Sequence, residues 1–93
     1  VKPELDRAAI AQQTAEAQAA SKVGQWGRAL KLCEGVLAAD RGNTSALRVC
    51  FIASCNLKDG KKARQFFNRM PAASASPLRQ ICLRTIPNWD ANN

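Results

Sequence analysis

The stretch Ala29-Leu30-Lys31-Leu32-Cys33-Glu34-Gly35-Val36 is answered 34 residues later by Ala63-Arg64-Gln65-Phe66-Phe67-Asn68-Arg69-Met70. The two segments share the pattern A-x3-[CF]-x2-[VM]. Its members fall one and two turns apart on one helical face, where small and bulky apolar residues interlock with a neighbour. A fixed period of this length marks stacked helical hairpins, an architecture that binds other proteins and rarely catalyses.

Working outward from Ala29, the same spacing gathers Trp26, Leu30, Cys33, Val36 and Leu37 into one helix. Before it, Gly24 closes an alanine-rich helix. This earlier helix is expected from Pro3, with Glu4 and Asp6 near its positive end, to Val23. Its expected face is Leu5, Ala8, Ala9, Ala15, Ala19, Ala20 and Val23, side chains that individually bury little area. After Leu37 comes the polar turn Asp40-Arg41-Gly42-Asn43, where Asn43 or Thr44 can cap the next helix. That helix runs to about Leu57. Ala46, Leu47, Cys50, Phe51, Ala53, Ser54 and Leu57 make it apolar over much of its circumference, so it is expected at the centre of the core.

Lys58-Asp59-Gly60 forms the second hairpin turn, and the helix carrying Ala63, Phe66, Phe67 and Met70 stops at Pro71. Ala72 to Ser76 reads as loop. Ser76-Pro77 is a cap and first-turn pair that opens a short last helix with Leu78, Ile81, Cys82 and Ile86, ended by Pro87. The tail beyond reads as frayed, with Trp89 able to fold back as an apolar peg.

At 93 residues this is one small domain with no room for a deep cleft. Val1 to Asp6 has neither the basic start nor the apolar run of a signal peptide, so the chain is expected to be a fragment or a processed product. Its apolar runs, such as Val49 to Ala53, fall far short of the roughly 20 residues that span a bilayer. Val1 to Asn43 holds six basic and five acidic residues, whereas Thr44 to Asn93 holds eight and two. The second half is therefore the electropositive one, suited to an acidic protein, a phosphate backbone or an anionic surface. Histidine is absent, which removes the commonest general base and neutral metal ligand and argues against an enzyme.

Four cysteines are the candidates for special chemistry, and none has the C-x2-C spacing of a zinc site. Cys33 and Cys50 lie at packing positions and read as small buried hydrophobes. Cys55 ends the third helix and Cys82 sits in the final one expected beside it. A bridge between them would staple the last helix to a thin core and imply an oxidising compartment, whereas free thiols would point to the cytoplasm. Trp26 reads as a core plug. Phe66 and Phe67 are adjacent and cannot face one neighbour, so Phe66 is either an outward anchor for a partner or a contact for the last helix. Lys58, Lys61, Lys62, Arg64 and Arg69 crowd the second hairpin without the stacking aromatics or groove-reading motif of a sequence-specific nucleic-acid binder. Gly24 and Gly60 are isolated turn glycines, so no nucleotide site and no cofactor is implied.

Taken as units 10–43 and 44–77, these residues resemble the tetratricopeptide repeat. Gly24, Trp26, Ala29, Cys33 and Val36 match its G-x-Y-x-x-A-x3-F-x2-A segment, and Leu47, Cys50, Ala63, Phe67 and Met70 take packing positions in the second unit. A capping helix over 77–86 and a tail over 87–93 complete the expected domain. The departures are Gln13 and Glu16 at positions for a large apolar pair, Lys58 and Gly60 where the first unit has Gly24 and Trp26, and Arg41 or Ala75 in place of the proline after the second helix.

The resemblance implies an all-α right-handed superhelix of two hairpins plus a cap, without catalysis. It also implies a concave groove that holds a partner segment. By position the groove would show Thr14, Gln18, Ser21 and Lys22, then Ser45, Arg48, Ile52, Cys55 and Asn56, with Arg79 from the cap. Lys22, Arg48, Ile52, Asn56 and Arg79 would carry the binding of an acidic partner. The basic clamp by which some members grip a terminal carboxylate is not reproduced, since Thr14, Gln18 and Ile52 occupy its places. Ala53-Ser-Cys-Asn-Leu-Lys and Arg79-Gln-Ile-Cys-Leu-Arg also resemble short repeat modules of bacterial serine/threonine kinases. Together with a repeat number below the usual three, this leaves open a structural or regulatory appendage that packs on another domain or forms a homodimer.

Overall fold

The backbone is set by what happens where helices end. The computed structural model describes residues 6–87 and Trp89. Helix α1 spans Arg7–Lys22, α2 Trp26–Ala39, α3 Thr44–Asn56 and α4 Gly60–Arg69. A short α5 (Ala72–Ala75), a 3₁₀ turn (Ser76–Leu78) and α6 (Arg79–Thr85) follow, and no strand occurs among the described residues. The fold is all-α: two helical hairpins, α1–α2 and α3–α4, capped by α6.

The two hairpins turn in the same way. At the end of α1 the Gln25 amide donates to the Ala20 carbonyl at 2.9 Å and Gly24 to Ser21 at 3.2 Å. At the end of α3, Asp59 donates to Ser54 at 2.9 Å and Lys58 to Cys55 at 3.0 Å. This paired closure needs one left-handed residue. Gly24 supplies it with φ 79°, and Lys58, 34 residues on, supplies it with φ 61°. The departure noted at Lys58 is thus a side chain held where glycine is favoured, at a cost of about 1–2 kcal/mol.

Side-chain caps start three helices. Asp6 accepts from Ala9 at 2.8 Å, Asn43 from Ala46 at 3.0 Å and Asp59 from Lys62 at 3.1 Å. Helix α3 is the centre: Ala46, Leu47, Val49, Cys50, Phe51, Ala53, Ser54 and Cys55 are all buried, because α1, α2, α4 and α6 all pack on it. Trp26 packs half-buried on this core. Trp89 folds back to 6 % exposure, donates its indole N–H to the Gly60 carbonyl at 3.1 Å, and meets Phe51 and Phe67 at ring-centroid distances of 5.6 and 5.4 Å. A Cβ on Gly60 would stand 3.2 Å from that indole. Where the first hairpin carries Trp26, the second leaves a bare glycine, and the C-terminal tryptophan lies against it.

Several expectations are corrected. Pro3 and Leu5 lie outside the described residues, and the first described cap is Asp6. The buried face of α1 is Thr14, Ala17 and Ala20 with Ile10 beside them, while Ala8, Ala15, Ala19 and Val23 face solvent. Alanines on every side of α1 carried no phase. Two polar side chains take the inner face because the backbone satisfies them: Gln13 donates to the Leu32 carbonyl at 3.0 Å and Thr14 to that of Ile10 at 2.7 Å. Leu57, expected in the core, is 46 % exposed because it caps α3 at the turn. Residues 72–76 are helical rather than loop, and Ser76 makes no side-chain cap. Phe66 is 6 % exposed and belongs to the core, so it is no outward anchor.

Two outcomes are expected in urea titrations. Lys58→Gly raises stability by roughly 0.5–1 kcal/mol by relieving the left-handed residue, net of the glycine's extra unfolded-state entropy. Trp89→Ala lowers it by about 3–5 kcal/mol by removing the aromatic peg.

Candidate functional site

Helices α1 and α3 run in the same direction, each antiparallel to the α2 between them, and pack on each other. Residues four apart on each helix therefore form two side-by-side stripes, Thr14-Gln18-Lys22 and Arg48-Ile52-Asn56, whose members correspond at an offset of 34. Gln18, Lys22 and Arg48 are exposed, Ile52 and Asn56 half-buried. Thr14 is buried. Asn56 donates one amide hydrogen to the Ile52 carbonyl at 2.9 Å, which leaves its side-chain oxygen and its second amide hydrogen to offer a ligand. Arg79 is exposed in the first turn of α6, one turn before Cys82.

The electrostatics of this side are simple. Helices α3 and α6 contain no carboxylate, and the one acid of α1, Glu16, is exposed. Among the described residues the single ion pair is Lys62 with Glu34 at 3.1 Å, on α4 and α2, leaving Lys22, Arg48 and Arg79 outside any ion pair there. No group of three or more potential metal ligands occurs among the described residues. No described helix is long and apolar enough to cross a membrane.

Two open grooves mark the surface. One, of about 390 Å³, brings Thr14, Gln18 and Ser45 together with Arg7, Ile10 and Asp40 at the α1–α3 side. The other, of about 410 Å³, lies between α2 and α4, with Glu34, Arg41, Lys62, Phe66 and Arg69 on its walls. Neither is lined by Lys22, Arg48, Ile52, Asn56 or Arg79.

All four cysteines are bridged and fully buried. Cys55 joins Cys82 across α3 and α6 with Cα atoms 4.8 Å apart, and Cys33 joins Cys50 across α2 and α3 at 5.7 Å. Cys55 is accordingly no groove residue. The second bridge replaces the expected pair of free hydrophobes, and a signal for it is present in the sequence. Cys33 lies seven residues before Asp40 and Cys50 seven after Asn43, so an antiparallel hairpin sets them opposite each other. Gln13 was also missed as a packing residue, although it stands one period before Leu47.

Loop closure over separations of 17 and 27 residues stabilises by about 3 kcal/mol per bridge, a large share for a domain of this size. The Cys55→Ser/Cys82→Ser variant is therefore expected to lose about 3 kcal/mol in denaturant titration relative to the oxidised chain.

Set beside known proteins, residues 20–80 match the family model of the tetratricopeptide repeat. No curated protein and no solved structure matches.

Proposed function

Because the chain belongs to the tetratricopeptide repeat family, a family of protein-interaction modules, we propose that it binds a partly acidic segment of a partner protein on the open face of α1, α3 and α6. One observation carries this reading. Lys22, Arg48 and Arg79 are exposed and Ile52 is half-buried on α1, α3 and α6, helices whose single acid is Glu16. Ile52 gives an apolar seat, and the cations steer a negatively charged segment and form charge-assisted hydrogen bonds with its carboxylates. The face needs no catalytic group.

The division into units 10–43 and 44–77 fits this reading, since each contributes one stripe. Two buried bridges favour an oxidising compartment as the place where it works.

A fluorescence-polarisation titration with peptides that alternate glutamate with leucine tests the reading. The wild-type chain is expected to bind, and Arg48→Glu/Arg79→Glu to weaken binding tenfold or more, about 1.4 kcal/mol or above. Unchanged affinity in that variant, with its helicity intact, removes this face from the binding surface.

A further inference from the structure

Among the described residues the exposed large hydrophobic side chains are Val23, at 71 %, and Leu57, at 46 %. They are the same residue of the two hairpins, 34 apart, each the C-cap of its helix at the turn closed by Gly24 or Lys58. Because α1 and α3 are parallel neighbours, both tips stand at one end of the bundle. Packing does not need them there, since the paired turn hydrogen bonds are made by backbone atoms.

That end is also strongly basic. Lys22 and Lys58 flank the two tips, and Arg28 and Lys61 lie in the first turns of α2 and α4, which start at the same end; all four are exposed. The carboxylate among these turns, Asp59, is half-buried and occupied in capping α4.

We infer that this end of the bundle docks on an anionic phospholipid bilayer, with Val23 and Leu57 inserting between headgroups and the ring of lysine and arginine meeting the lipid phosphates. The two apolar residues project separately from convex turns, and both grooves described above lie elsewhere. A folded partner must match such tips in shape, whereas a fluid headgroup layer closes around them to a depth of about 5–10 Å. Apolar insertion combined with a basic rim is the pairing by which peripheral proteins hold to charged membranes. This surface shares Lys22 with the face of Arg48 and Arg79 and is otherwise made of other residues, and it supplies a second attachment besides a bound partner.

Co-sedimentation of the oxidised chain with extruded phosphatidylcholine vesicles, with and without about 30 % phosphatidylglycerol, tests the inference. Partitioning is expected to depend on the anionic lipid and to fall steeply with added salt. Each basic residue at the surface contributes roughly fivefold, so Arg28→Gln/Lys61→Gln reduces partitioning about 25-fold. Val23→Asp/Leu57→Asp, at exposed positions, abolishes it with helicity retained. Arg7→Gln/Arg41→Gln removes the same charge at the opposite end of the bundle and stays within about twofold of the wild type. Equal binding to neutral and anionic vesicles, or an equal loss in the opposite-end variant, overturns the assignment. So does binding of a soluble acidic peptide through Arg28 and Lys61 without any vesicle binding.

Discussion

The structure depends on how α3 is held. It is the one helix packed against all four of α1, α2, α4 and α6, and it is covalently fixed on two sides, through Cys50 to α2 and through Cys55 to α6. Two hairpins are fewer than a repeat array normally needs to bury a continuous core, and most of the α1 interface is alanine and threonine. Cross-links between the central helix and its neighbours supply by chain entropy what a third unit would supply by buried area. The aromatic cluster of Phe51, Phe67 and Trp89 ties α3, α4 and the segment after α6 together.

The surface differs from one part to another. Helices α1, α3 and α6 expose Lys22, Arg48 and Arg79, helices α2 and α4 share the Lys62–Glu34 pair, and the hairpin turns present Val23 and Leu57 beside exposed basic side chains. The ion pair is exposed and contributes at most about 1 kcal/mol, so this pairing adds little to stability. The positive balance of the second half is concentrated on α4, which carries four of its eight basic residues.

Much of the fold could be read from residue order. The recurrence of Ala29, Cys33 and Val36 as Ala63, Phe67 and Met70 fixed the hairpins, and Asn43, Gly24 and Pro71 marked their ends, because caps, left-handed turns and proline act locally. What escaped was set by tertiary context. Alanine buries too little area to give α1 a phase, so its inner face fell to Gln13 and Thr14, whose polar atoms only the folded backbone could satisfy. The Ala-Ser run before Pro77 carries no periodicity, and so α5 read as loop. Cys33 and Cys50 looked like any pair of small hydrophobes, since bridged and free cysteine occupy the same buried positions. The exposure of Lys22, Arg48 and Arg79 follows from their charge. The grooves and the exposed tips were not legible, because they arise from how separate helices end beside one another.

Covalent attachment of α3 on both sides is open to direct measurement. Peptide mapping of the unreduced protein by mass spectrometry, after alkylation in denaturant, is expected to give two linked peptides, one containing Cys33 with Cys50 and the other Cys55 with Cys82, and no alkylated cysteine. Alkylation of any of these four thiols, or a bridge that pairs Cys33 with Cys55 or Cys82, contradicts it.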